Sequence, residues 1–322
     1  MYKIGITGTG SLIGQAIIKS IIRSSNKDKY SLVGFDYFPD TVGSLWCNKN
    51  YILPDLLKAG TEEIWLKELT NIILNEKLNV LFVGVDFELP LLAEKKQEME
   101  SATNCKIIVS SKRVIEIGND KYKTYQFLKD NGLYHPKTYL PSECDFSELA
   151  YPLIVKPRIG ARSIGVYKVN NTKELERALT LANDPIIQEC VGDDTTEYTC
   201  GVIALDGELK AHIALNRSLK EGNTFISTYK KDISPVLEKY LIDITKKLQP
   251  HGSCNFQLRI DKHGIPKMFE INPRHSGTTY IRSLFGYNEI IYILEFLLEG
   301  NETKFDLTEG KAIRFFEEAL IK

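Results

Sequence analysis

The chain lacks any long apolar run. No stretch approaches the roughly 20 apolar residues that a membrane-crossing helix requires, so no such helix and no membrane partner are expected. It also lacks an excess of either charge. With 41 Lys and Arg against 42 Asp and Glu the formal net charge is −1. No basic run of the kind that carries nucleic-acid contacts is present, so no nucleic acid is expected as a partner. Cysteine is sparse and unpatterned. Cys47, Cys105, Cys144, Cys190, Cys200 and Cys254 form no CxxC pair, and several sit in apolar strand-like runs, which points to buried free thiols in a reducing compartment. Nothing at the N-terminus resembles a signal peptide, because the chain enters a short strand pattern at once. These absences lead to the expectation of a soluble, cytoplasmic protein. Internal repeats, low-complexity tracts and long linkers are missing as well.

At 322 residues the chain is long enough for two or three packed units with a cleft between them, on a prior of roughly 100 to 200 residues per domain. Residues 1–111 alternate short apolar strands (2–7, 31–36, 80–86, 106–110) with helical patterns (12–22, 63–75 and from Glu88). That alternation predicts an open parallel α/β sheet. Near Asn119 the pattern changes. Asn119 or Asp120 is placed to cap a helix through Tyr125 and Leu128 to Gly132, and His135-Pro136 then forces an extended exit. From Tyr151 strands dominate, at 153–156, 164–169, 186–191, 197–205, 208–216 and 223–230. A helix at 235–248 precedes a final strand pair, 253–261 and 267–272, with a turn at 262–264. These later parts, divided as 112–192 and 193–322, are α+β in manner.

Five segments carry candidate chemistry. In Lys267-Met-Phe-Glu270-Ile-Asn272-Pro-Arg274-His275 the strand period of two sends Glu270 and Asn272 to one face, where two hard oxygen ligands suit Mg²⁺. Pro273 ends the ladder and Arg274 follows as a fixed cation. Asn255, Gln257 and Arg259 alternate in the same way on the preceding strand, and a tight turn would bring the two polar faces together. The oxygen-rich set favours Mg²⁺ or Mn²⁺ over softer metals. In Leu153-Ile-Val-Lys156-Pro-Arg158 a lysine closes a buried strand, and the loop to Gly165, with Arg162 and Ser163, offers cations and backbone amides to phosphates. Gln188-Glu189-Cys190-Val191 ends another strand whose edge can meet an adenine, and Glu197 opens the next. Gly8-Thr-Gly10-Ser-Leu-Ile-Gly14 follows the first strand and opens a helix, with Asp36 ending the second strand as a dinucleotide site would need, although its last spacing departs from GxGxxG. Each segment has an ordinary alternative: a solvated strand face, a basic surface hairpin, exposed strand-end acids, or tight strand-to-helix packing without a nucleotide.

Taken in order, Lys121 opening a helix, Lys156 with its loop, Glu189 to Glu197, Gln257, and Glu270-Ile-Asn272-Pro-Arg274 resemble the ATP-grasp superfamily. Gly10-Ser-Leu-Ile-Gly14-Gln and Phe-Glu-Ile-Asn-Pro-Arg look most like proteins related to the carbamoyl phosphate synthase large subunit. The resemblance implies a Rossmann-like pre-ATP-grasp domain at 1–111, ATP-lid and hinge subdomains at 112–192, and a metal-bearing C-terminal subdomain at 193–322. It implies an ADP-forming, ATP-dependent carboxylate ligase of the carboxylate-amine or carboxylate-thiol type, acting on a small-molecule acid through an acyl phosphate. Lys121, Lys156 and Ser163 would meet the ATP phosphates, Gln188, Glu189, Cys190 and Val191 the adenine, and Glu197 the ribose. Gln257, Glu270 and Asn272 would hold Mg²⁺. Arg274, Lys156 and Arg217 would steady the transferred phosphoryl group or the acid. A homodimer is the default assembly for such enzymes.

The chain departs from its relatives in having neither a glutaminase segment nor a second synthetase half, so a complete carbamoyl phosphate synthase is not expected. Arg162 stands where a small residue is common. Two other readings remain open at this stage: a non-catalytic or regulatory ATP-binding protein, and an NAD(P)-dependent oxidoreductase using Gly8 to Gly14 and Asp36.

Overall fold

A computed structural model describes residues 1–160 and 163–320. The N-terminal βα alternation folds as a five-stranded parallel sheet of β1 (Tyr2–Ile6), β2 (Tyr30–Asp36), β3 (Lys49–Ile52), β4 (Val80–Phe82) and β5 (Lys106–Ile108), in the order β3-β2-β1-β4-β5. Helices α1 (Leu12–Ile22), α2 (Gly43–Trp46), α3 (Glu62–Glu76) and α4 (Leu89–Thr103) cover it. The strand expected at 80–86 stops at Phe82. Gly84 then lies against the Thr7 carbonyl, and a 3₁₀ turn at Asp86–Glu88 leads into α4.

Strand order reverses between β1 and β4, the point at which open α/β sheets usually bind ligands. Here the protein's own groups occupy much of that crevice. Asp36 accepts from Gly10 N at 2.6 Å and Thr9 Oγ1 at 2.9 Å, and Ser11 Oγ donates to Gly84 O at 2.7 Å. Buried Glu88 accepts from Thr7 Oγ1 and Tyr37 Oη. Close packing therefore accounts for the glycine spacing without a dinucleotide.

Helices α5 (Lys112–Asn119) and α6 (Lys121–Asp130) follow, and Asp120 caps α6 by accepting from the amides of Tyr122 and Lys123. A four-stranded antiparallel sheet comes next: β6 (Thr138–Tyr139), β7 (Leu153–Pro157), β8 (Tyr167–Val169) and β9 (Pro185–Glu189), ordered β6-β9-β7-β8 and backed by α7 (Thr172–Leu181). The strand expected from Ile164 begins only at Tyr167, because Ser163 and Gly165 take left-handed backbone angles that interrupt a ladder. Arg162 lies outside the described residues.

The third sheet, ordered β14-β13-β10-β11-β12-β15, is antiparallel. It comprises β10 (Glu197–Leu205), β11 (Glu208–Lys220), β12 (Asn223–Tyr229), β13 (Gly252–Ile260), β14 (Pro266–Asn272) and β15 (Gly310–Ile313). One face packs Cys200, Val202, Phe256 and Ile271 against α8 (Pro235–Leu248) and also against Val114 and Phe127, so α5 and α6 share this core rather than that of the small sheet. On the other face Ile203, Leu205, Ile213 and Leu215 join Ile17 and Ile21 of α1 and residues of α9 (Thr279–Leu284) and α10 (Glu289–Glu299) in one core. That shared core ties the parallel sheet to the antiparallel one. The elements α2, β3, α5, β6, α7, α10 and β15 were not among those expected from pattern.

Cys105, Cys200 and Cys254 are buried and Cys47, Cys144 and Cys190 half-buried, all as free thiols. No helix among the described residues is long and apolar enough to cross a membrane.

Candidate active site

The cleft between the second and third sheets is built from strand ends. Antiparallel pairing places directly opposed residues on one face, and β13 sets Asn255 opposite Asn272 and Gln257 opposite Glu270. On its other side β13 sets Gln257 opposite Thr199 and Arg259 opposite Glu197. The polar face anticipated from alternation therefore exists. A bulge in β14 shifts the register just past Gln257, leaving Phe269 without an opposite residue. Phe269 and Glu270, though consecutive, both line the cavity as a result.

The cavity has a volume of about 190 Å³. Of the expected site residues, Lys121, Lys156, Ser163, Gln188, Glu189, Val191, Glu197, Arg217, Gln257 and Glu270 line it. Cys190, Asn272 and Arg274 do not. Asn272 and Arg274 stand beyond it toward the parallel sheet, where Arg274 forms an ion pair with Asp86 and also donates to Asn272 Oδ1 at 3.1 Å.

Lys156 is only 5% exposed. Its Nζ donates to Gln188 Oε1 at 2.8 Å and lies 5.2 Å from the centre of the Phe269 ring. Gln188 is fixed in turn by donating to Thr138 Oγ1 at 2.9 Å. Burial pushes the Lys156 ammonium down to about 7, with Glu270 pulling the other way. Lys121, at the start of α6, donates to the Gly160 carbonyl at 2.8 Å and so pins the near end of the loop that leaves β7. Arg158 holds that loop from the other side through its salt bridge to Asp120.

Glu189 accepts from Lys267 Nζ at 2.8 Å and from the Lys137 amide at 3.0 Å. Against the upward push of burial, these donors hold its carboxyl below the usual glutamate range. Glu197, 5% exposed, has both oxygens engaged: Oε1 by Arg217 at 2.7 and 2.9 Å, Oε2 by Arg259 at 2.9 Å. Glu270 has no hydrogen-bond or ion-pair partner among the described residues. It is the open acid of the cleft.

The donor set decides whether a divalent cation suits this place. Gln257, Glu270 and Asn272 present hard oxygens on one sheet face, as Mg²⁺ or Mn²⁺ prefers, and the uncommitted Glu270 supplies the anionic one. No group of three or more His, Cys, Asp or Glu residues is gathered for a metal among the described residues. A cation here would therefore draw its remaining negative ligands from a bound phosphate, and with that addition the residues fit.

Pattern reading missed a buried network next to this face. Glu289, fully buried, accepts from His275 Nδ1 at 3.0 Å, Thr279 Oγ1 at 2.6 Å and Ser253 Oγ at 3.1 Å, and from Arg282 at 2.9 Å. Arg282 reaches on to Asn255, its guanidinium resting over Gly201, where a β-carbon would come within 2.5 Å of it. His275 is thus a packed, paired side chain. The one available signal was the polar run Ser276-Gly277-Thr278-Thr279 after it.

Known proteins resemble this chain in sequence and in fold. The Campylobacter jejuni carbamoyl phosphate synthase large chain is 27% identical over 262 residues, which are 74% of this chain and 23% of that protein. The D-alanine–D-alanine ligase of Alcanivorax borkumensis is 38% identical over 91 residues, 27% of this chain and 29% of that one. The chain thus spans less than a third of either relative's length. The crystal structure of an L-amino acid ligase from Bacillus licheniformis superposes with a TM-score of 0.71 at 19% identity, covering 93% of this chain and 74% of that one, which is a likeness of fold. Residues 118–278, running from α5 through the lysine loop and the β13–β14 pair to the turn before α9, match the ATP-grasp domain, and the chain belongs to that family.

Proposed function

We propose that this protein is an ATP-dependent, ADP-forming ligase that activates a small carboxylic acid and couples it to an amine-type nucleophile. The observation that carries the reading is the convergence of Lys156, Gln188, Glu189, Glu197, Gln257 and Glu270 on one cavity from strands of two sheets. In this reading the Glu189–Val191 edge receives the adenine and Lys121 and Lys156 face the phosphates. Ser163 contributes from the loop. Glu270, Gln257 and Asn272 would hold the divalent cation, which would supply neutralisation of phosphate charge and orientation of the terminal phosphoryl group. A carboxylate oxygen of the acid attacks the γ-phosphorus, the bond to the bridging oxygen breaks, and ADP leaves. The nucleophile then attacks the acyl carbon and expels phosphate. Both steps ask mainly for positioning and charge neutralisation, which fixed lysines and arginines supply. Arg217 lies in the cleft for this purpose, and Arg274 borders it on the side of the parallel sheet.

The names of relatives support the class, since D-alanine–D-alanine ligase and L-amino acid ligase both join amino acids. The test is a phosphate-release screen of small carboxylic acids and amino acids, singly and in pairs, with ATP and Mg²⁺. The expected result is ADP and phosphate release that requires both an acid and an amine and falls about 100-fold or more in Glu270→Gln. ATP binding without turnover across a broad panel would refute it.

A further inference from the structure

Two of the three candidate metal oxygens already carry a cation. Arg217 Nη2 donates to Gln257 Oε1 at 2.6 Å, and Arg274 Nη2 donates to Asn272 Oδ1 at 3.1 Å. Each arginine is also held by a carboxylate of its own, Glu197 for Arg217 and Asp86 for Arg274. The Gln257 contact is the tighter and lies inside the cavity. Arg217 is 8% exposed, so its position is fixed by the sheet.

The bonding of Arg217 is lopsided. Two of its hydrogen bonds go to Glu197 Oε1, one goes to Thr224 Oγ1 at 3.3 Å, and a single one goes to Gln257. Giving up the last would leave the guanidinium paired and anchored. A divalent cation on Gln257 Oε1 demands that release, because two cations sharing one amide oxygen repel strongly where water is scarce.

We propose that Arg217 and a divalent cation compete for Gln257 Oε1, and that metal binding displaces the arginine from it. The freed guanidinium edge, still anchored on Glu197, is then presented to the anion entering the cleft. The proposal rests on reading this cleft as a metal-nucleotide site and adds its regulation: metal loading arms the arginine.

The test measures Mn²⁺ binding by electron paramagnetic resonance of the free ion, with and without ADP, and does not depend on turnover. In Arg217→Met the competing cation is gone, and Mn²⁺ should bind about tenfold more tightly, within the usual range of coupling between touching groups. Adding Gln257→Leu to that variant should abolish the gain. Arg217→Gln carries the same expectation should the methionine variant fold poorly, with thermal melting as the check. Unchanged or weaker Mn²⁺ binding in both Arg217 variants overturns the proposal, and so does a gain that survives Gln257→Leu, since general charge would then be its cause. Glu270→Gln tells the two levels apart. It should weaken Mn²⁺ binding throughout, and if it does not, the metal-site reading itself fails, taking the displacement with it.

Discussion

Replacing Lys156 by methionine removes a buried ammonium while keeping an apolar stem of similar length between Gln188 and Phe269. In the wild type, burial lowers this lysine from an ordinary 10.5 to about 7. Between those two values the unfolded chain carries a proton that the folded chain lacks, so folded stability rises with pH across the window. Below pH 7 both states are protonated and the penalty is complete, at about 5 kcal/mol. About 2 to 3 kcal/mol of this should be recovered between pH 6 and pH 9. Urea unfolding of both proteins across that range isolates the lysine, because every other titrating group is common to them. The stability of the wild type relative to Lys156→Met should climb by that amount as pH rises. A difference that stays level would refute the account. The same lysine links pH to the cleft. Phosphates beside it would favour its charged form, so ADP binding at pH 8 should draw a proton from solution in the wild type and not in the variant. Calorimetry in two buffers of different ionisation enthalpy reads that proton directly.

Two further substitutions probe the frame around the cleft. Gly14→Ala would set a β-carbon 2.2 Å from the Gly8 carbonyl oxygen and 2.9 Å from the Thr9 α-carbon, backbone atoms that cannot swing aside as a side chain would. It should destabilise the parallel-sheet end by about 1 to 3 kcal/mol in thermal or urea melts, and a neutral result would show the loop is loosely held. Glu289→Gln leaves the fully buried Arg282 without its carboxylate and should cost about 3 to 5 kcal/mol. Burial opposes ionisation of Glu289, but Arg282 and His275 outweigh it and hold its carboxyl well below the usual range. The stability it contributes is therefore present above the ordinary glutamate pKa and lost as acid titrates the folded carboxyl. Acid unfolding followed by circular dichroism should show a steeper loss in the wild type than in this variant.

The parts of the fold that follow local rules were legible in the sequence. The helix at Leu12–Ile22 and the strand at Glu197–Leu205 appear where apolar periodicity put them. So does the helix at Pro235–Leu248, with its proline at the first position. The shared face of Asn255, Gln257 and Glu270 was legible because a strand has period two and a tight turn sets its register. What remained hidden depends on distant partners. Phe269 enters the cavity only because a bulge breaks alternation. Arg274 meets Asp86 across 188 residues of sequence, a pairing that no local pattern encodes. The amphipathic helix α7 lies in a stretch whose neighbours read as strands, and α10, with eight apolar residues in eleven, offers few polar positions to mark an outer face.

Several of the residues expected to meet ligands also bond one another. Glu197, expected at a ribose, has both oxygens held by Arg217 and Arg259. Gln257, expected at a metal, accepts from Arg217. Lys121, expected at phosphates, bonds the Gly160 carbonyl. These engagements have one physical cause. Charged and polar groups gathered in a buried cleft are costly to leave unpaired inside a protein, so each takes partners from its neighbours. The uncommitted carboxylate of Glu270 and the lowered Lys156 ammonium are the two groups that this internal pairing serves least. On this reasoning ligand binding should be felt first at those two positions, and exchange of partners elsewhere should follow.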